Sequence, residues 1–191
     1  MLGAARSGKT HHAILLAQSL SRKHERAVTY VATAQALDPE MTKRIRLHRA
    51  ERPQAWATLE ASKDLAQALR SIDSETIVVV DCLTLWLSNA MLEDFSDAGP
   101  DEALPAWQRE RAAFLQWLDE FNGTVLLVSN EVGAGIVPMS ALARRFQDEQ
   151  GRLNQAVAAI CDSVTLVVAG IAVPIKTSSP GRRGRSEEGA L

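Results

Sequence analysis

Gly3-Ala4-Ala5-Arg6-Ser7-Gly8-Lys9-Thr10 fits G-x-x-x-x-G-K-[ST] at every fixed position. That pattern constrains the chain more than any other feature. Glycine permits φ angles and close approaches that a Cβ forbids, so the loop can curl with its backbone N–H groups around an anion. Beyond it, Ala13, Leu16, Ala17 and Leu20 recur at helical spacing within Lys9–Arg22. A helix starting there directs its N-terminal dipole at the same anion. In such a loop the lysine, Lys9, reaches the β- and γ-phosphates of a nucleotide, and Thr10 ligates Mg²⁺. The loop also calls for a strand before it, yet only Met1 and Leu2 precede Gly3. The sequence therefore predicts a truncated first strand.

Four runs rich in β-branched residues read as strands: Val28–Ala32, Thr76–Val80, Thr124–Val128 and Val164–Ala169. Each is continuously apolar rather than alternating, the pattern of strands covered on both faces in a parallel sheet. Helical segments lie between them: Pro39–Ala50, Ser62–Ser71, Leu83–Leu92, Pro105–Phe121 and Met139–Cys161. Asp38 is a cap for the first of these, with Pro39 at its first position. A polar loop through Ser96–Pro100 follows Leu83–Leu92. Alternating strands and helices predict one α/β domain with helices on both faces of a mostly parallel sheet. Its boundaries are 1–176, and 177–191 reads as a disordered tail because it lacks apolar periodicity.

Composition narrows the function. The chain has 191 residues, 46% hydrophobic and 23% charged, with a net charge of −2. No global basic field draws nucleic acid or an anionic membrane. No apolar run reaches the ~18–20 residues of a membrane helix. Cys82 and Cys161 sit in apolar stretches, which suits reduced thiols in a cytoplasmic protein. The first residues do not read as a signal peptide, and a cytoplasmic protein is the expectation.

Three clusters carry candidate chemistry. Asp81 closes the apolar run Val78–Val80, where a phosphate-loop enzyme needs a carboxylate on the Mg²⁺ side. His48 lies in a helix that also places Met41 and Ile45 on its stripe. It is surrounded by Arg44, Arg46, Arg49 and Arg52, cations that favour a neutral imidazole and attract phosphates. A neutral imidazole can attack phosphorus and form a phosphoramidate. Ser129-Asn130-Glu131-Val132-Gly133, continuing through Gly135 to Pro138, has the composition of a ligand-facing loop at a strand's carboxyl end. His11 and His12 read as helix-surface residues and His24 as a loop residue.

Together these residues resemble the bifunctional adenosylcobinamide kinase / adenosylcobinamide-phosphate guanylyltransferase family of cobalamin biosynthesis. The resemblance runs from Gly3 to about Lys176 and rests on motifs in order. They are Gly3–Thr10, Tyr30–Ala34, Asp38–Met41, Arg44 through His48-Arg49 to Arg52-Pro53, Trp56, Asp81–Thr84, Ser129–Pro138, Ala143-Arg144 through Gly151–Gln155, and Leu166–Gly170.

It implies a RecA-like P-loop fold, a homotrimer and two reactions. One moves the γ-phosphoryl of ATP or GTP to the aminopropanol hydroxyl of adenosylcobinamide. The other moves GMP from GTP to that phosphate, through a GMP–histidine intermediate, giving adenosylcobinamide-GDP and pyrophosphate. The position matching that histidine is His48. The family's nucleotide contacts map onto Gly3, Ala4, Ala5, Arg6, Ser7, Gly8, Lys9, Thr10, Ala32, Thr33, Ala34, Arg49, Ala50, Glu51, Arg52, Glu60 and Asp81.

The family opens on an apolar strand and carries a second glycine where Ala4 stands here. The corresponding expectation is that the chain begins at an internal methionine or that the gene model is short. A tail after Lys176 is also unusual for the family. Three alternatives compete with this reading: a P-loop kinase of another small alcohol, a nucleic-acid-stimulated ATPase, and a nucleotide-binding module without catalysis.

Overall fold

The apolar runs are strands of one sheet in the computed structural model, which describes residues 1–97 and 104–177, the side chains of 93–97 excepted. The strands are β1 (Leu2–Gly3), β2 (Val28–Ala32), β3 (Ala57–Glu60), β4 (Ile77–Asp81), β5 (Thr124–Asn130), β6 (Val164–Val168) and β7 (Ile171–Lys176). Their order is β3-β2-β4-β5-β1-β6-β7. Every pairing is parallel except the hairpin of β6 and β7. The helices are α1 (Lys9–His24), α2 (Pro39–Ala50), α3 (Leu65–Arg70), α4 (Leu83–Asp97), α5 (Pro105–Glu120) and α6 (Ala141–Ile160). This is the expected mostly parallel sheet flanked by helices, with the glycine-rich loop after β1 and Asp81 ending β4, one strand away across β5. Most of the expected loop at Ser96–Pro100, and the expected tail from residue 178, lie outside the described residues.

Continuous apolarity has the predicted consequence. On β4, Ile77 and Val79 pack with Ala13, Ile14 and Ala17 of α1 on one face. Val78 and Val80 join Trp86, Trp107, Phe114 and Leu153 on the other. The isoleucine and three valines of β4 are at most 1% exposed, so the strand is buried on both sides. Trp86 meets Trp107 and Phe114 edge-on, with ring centroids 4.9 and 5.1 Å away, the arrangement that ring quadrupoles favour.

β1 is short, as expected: two residues occupy an interior position of the sheet. Leu2 and Gly3 pair with Ser129 and Asn130 of β5, and Leu2 also pairs with Leu166 of β6. Ladder hydrogen bonds extend from Ser129 N to Met1 O (2.9 Å) and from Glu131 N to Gly3 O (3.0 Å). Two residues suffice to set the register because both neighbouring strands already present partners. In line with β1, between Thr124–Leu127 and Val164–Thr165, lies a cavity of about 410 Å³. Leu16, Leu20, Leu118 and Val157 line it, and among the described residues Asp162 is its only charged side chain. β7 was not foreseen. Its turn, Ala169-Gly170, has φ of 51° and 79°, and positive φ at both central residues matches the twist of a two-residue hairpin.

Helix α2 begins as predicted: the Asp38 carboxylate accepts from Met41 N at 2.7 Å and Pro39 stands in the first turn. Its composition does not give it a core face, and none of its residues is buried. His24 is the last residue of α1 rather than part of a loop, because αL Glu25 (φ 54°) stops the helix only after it.

Candidate active site

The loop Gly3–Gly8 turns sharply between β1 and α1. Gly8 caps α1 at φ 93°, where a Cβ would strain the backbone. A Cβ on Gly3 would lie 2.5 Å from Val167 O and from Ser7 Oγ. Behind the loop, Gly170 N donates to Ser7 O at 2.9 Å, so the β6–β7 turn braces it. The first turn of α1 holds no acidic residue to compete for its N-terminus. Lys9 is buried, and its ammonium donates to Ala4 O at 3.1 Å. Burial holds that ammonium below the usual lysine range, with the nearby Cys82 and Asp81 offsetting part of the effect.

A cavity of about 220 Å³ opens beside the loop. It brings together Lys9 and Thr10 of α1, Tyr30 and Ala32 of β2, Thr58 and Glu60 of β3, Asp81 of β4, Asn130 of β5, and the α2 stripe Met41, Arg44, Ile45, His48 and Arg49, with Ala34 and Arg52. The parallel register explains the strand contributions. Tyr30 pairs with Thr58, and Ala32 with both Glu60 and Asp81, so these side chains share one face.

Thr10 Oγ1 donates to Asp81 Oδ1 at 3.3 Å, and the Tyr30 hydroxyl donates to Asp81 Oδ2. Burial and the Asp81 carboxylate push the Tyr30 phenol far above its usual range, so it stays a donor. Cys82 is pushed up to about 11 by burial and by Asp81, which keeps it a thiol. The Arg52 guanidinium carbon lies 3.6 Å from the Tyr30 ring centroid. His48 Nδ1 and Arg52 Nε are buried without hydrogen-bond partners.

The remaining expected residues stand elsewhere. Gly3, Ala4, Ala5, Arg6, Ser7 and Gly8 form the loop next to Lys9 rather than the cavity wall. Thr33 is fully buried and spends its hydroxyl on Cys82, donating to Cys82 O (2.8 Å) and accepting from Cys82 N (2.7 Å). Ala50 and Glu51 are exposed at the end of α2 and do not line the cavity.

Tyr30 and Thr58 were missed as site residues. Their signal was present: each lies two residues before an expected contact, Ala32 or Glu60, on the same strand face.

Beneath the β5 tip runs a buried polar network. Ser129 Oγ donates to Asn154 Oδ1 (2.7 Å), and Gln150 Nε2 donates to both Ser129 Oγ and Asn154 Oδ1 (3.0 Å each). Asn154 Nδ2 donates to Asn130 O (3.0 Å), and Thr84 Oγ1 accepts from Asn130 N (2.8 Å).

A glycine-rich loop, a buried lysine, a hydroxyl–carboxylate pair and a cavity ringed by arginines define the chain as a P-loop nucleotide-binding α/β protein. Comparison with known proteins is more specific. The family model described as cobinamide kinase / cobinamide phosphate guanyltransferase matches residues 1–175. A bifunctional adenosylcobalamin biosynthesis protein of Pseudomonas aeruginosa, CobP, is 47% identical over 92% of this chain and 95% of its own length. The Escherichia coli K12 protein of the same description, CobU, is 41% identical over 91% and 97%. Among solved structures, the ATPase EscN of the enteropathogenic E. coli type III secretion system aligns with a TM-score of 0.49 and 9% identity. That alignment covers 91% of this chain and 47% of EscN. The chain belongs to the cobinamide kinase / cobinamide phosphate guanyltransferase family.

Proposed function

We propose that the protein phosphorylates adenosylcobinamide with ATP or GTP and then transfers GMP from GTP to the product, through His48. One observation carries this reading: Lys9, Thr10, Asp81 and His48, from three separate segments, line a single cavity. A phosphoryl-transfer centre and a nucleophilic imidazole are thus available to one bound nucleotide.

In the kinase step the aminopropanol oxygen attacks the γ-phosphorus, the bond to the β-bridging oxygen breaks, and a nucleoside diphosphate leaves. Lys9 and the N–H groups of residues 3–10 stabilise charge on the phosphates. In the second reaction a neutral His48 nitrogen attacks the α-phosphorus of GTP and pyrophosphate leaves. The phosphate of the corrinoid then attacks the same phosphorus, the P–N bond breaks and His48 is freed. Arg44, Arg49 and Arg52 offset the charge of these polyanions, and Ala32, Ala34 and Glu60 line the same cavity.

Thr10 Oγ1 and Asp81 Oδ1 are adjacent hard oxygens, a donor pair suited to Mg²⁺, which keeps most of its shell for water and phosphate. When bound there, Mg²⁺ would neutralise charge on the transferred group. Among the described residues no cluster of three His, Cys, Asp or Glu competes as a metal site.

A homo-oligomer, a trimer by resemblance, belongs to the same proposal. Ile171, Val173 and Ile175 are exposed on alternate positions of the edge strand β7, and Ile136 and Met139 are over 95% exposed. Among the described residues no helix is long and apolar enough to cross a membrane, and we place the reactions in the cytoplasm.

The test is α-labelled GTP. The wild-type chain should acquire an acid-labile label that His48→Ala loses while still binding GTP. No label on a chain that binds GTP normally would refute the guanylyl-transfer mechanism.

A further inference from the structure

α2 carries the nucleophile of the proposed mechanism, but no apolar face docks it: none of its residues is buried. A helix held this way would leave His48 free to wander by more than a reactive geometry tolerates. Another contact must set its place over the cavity.

We infer that Tyr30 is a positioning residue, which seats His48 by stacking against Arg52. Three observations converge. Tyr30 is 1% exposed and sits mid-strand on β2, so its ring is a fixed platform. The Arg52 guanidinium lies 3.6 Å from that ring's centroid, just past the end of α2 and four residues beyond His48. A planar guanidinium stacks on an aromatic face, whereas a lysine ammonium only points at it. The Tyr30 hydroxyl donates to Asp81 Oδ2, while Thr10 donates to Asp81 Oδ1. One side chain therefore ties the helix of the histidine to the carboxylate that serves the phosphates. The proposed mechanism gives Tyr30 no bond to the reacting atoms, so its effect passes through Arg52 and, separately, through Asp81.

This inference rests on His48 being the guanylylated residue, and the experiment separates the two failures. The rate of label transfer from α-labelled GTP is measured by rapid quench at saturating GTP and Mg²⁺, and GTP affinity by equilibrium binding. Arg52→Lys keeps the charge and loses the stack. It should slow adduct formation about 3- to 30-fold, while GTP affinity falls by less. Tyr30→Phe keeps the ring and should form adduct faster than Tyr30→Leu by a similar factor. In the double variant Tyr30→Leu/Arg52→Ala the loss should fall short of the product of the two single losses, because one of the contacts each change breaks is shared.

Adduct formation by Arg52→Lys at the wild-type rate overturns the inference, as do additive losses or equal rates for Tyr30→Phe and Tyr30→Leu. If Tyr30→Leu does not fold, Arg52→Lys alone decides. A wild-type chain without a His48-dependent adduct refutes instead the mechanism on which the inference rests.

Discussion

Replacing Asn154 by leucine tests whether the buried network under β5 holds the phosphate loop in place. Leucine nearly conserves the volume, so the change removes polar partners rather than opening a cavity. Two groups lose their partners. The Ser129 hydroxyl loses the oxygen it donates to at 2.7 Å, and Asn130 O loses the amide that donates at 3.0 Å. Gln150 Nε2 keeps Ser129 Oγ. A stranded buried group costs about 1–3 kcal/mol, and Asn130 O, only half-buried, stands at the low end, so the pair costs about 2–4 kcal/mol. Against a total stability of about 5–15 kcal/mol that is a large share.

Urea unfolding followed by circular dichroism reads the change. With a slope of about 1–3 kcal/mol per molar, the midpoint should fall by about 1–2 M at unchanged slope. GTP affinity should fall as well in the folded fraction, because the β5 tip is joined to the phosphate loop by Glu131 N donating to Gly3 O. A loss under about 0.5 kcal/mol, the scale of an ordinary surface substitution, would refute the reasoning. It would mean that the network does not carry the β5 tip.

Two further outcomes follow from the loop itself. Gly3→Ala places a Cβ 2.5 Å from the backbone oxygen of Val167, which cannot swing away as a side chain could. Equilibrium binding should show GTP affinity reduced at least tenfold, and thermal melting should show a lowered midpoint. Lys9 has its proton affinity lowered by burial in the free protein, and bound polyphosphate restores it. Binding should therefore take up protons at alkaline pH below about 10.5, and affinity should fall as pH rises through the free Lys9 value. Calorimetry in buffers of different ionisation enthalpy measures this, and Lys9→Arg should abolish the uptake. The folding sign is opposite. A lowered lysine makes the unfolded chain bind more protons in that window, so this group's contribution to stability rises with pH.

The chemistry was legible where it is local in the chain. The loop Gly3–Thr10, the cap at Asp38 and the arginines around His48 declare themselves by spacing, because a turn, a helix start and a charge cluster are short-range events. The strands β2, β4, β5 and β6 were legible for a related reason: burial on both faces leaves no polar alternation to obscure them. A short β1 was legible but its pairing with both β5 and β6 was not, and β7 was not foreseen, since Pro174 interrupts its apolar residues and it forms by pairing with β6. Neighbouring strands impose on β1 a register that two residues alone would never hold.

Within the site, sequence alone determined which residue types were available: a phosphate loop, a carboxylate ending a strand and a histidine among arginines. Only the tertiary structure decided which of them meet. It removed Thr33 from the cavity by spending its hydroxyl on Cys82, and it set Tyr30 between Asp81 and Arg52. Those are contacts between strands and helices far apart in the chain. Parallel register and packing decide them, and no local pattern encodes either.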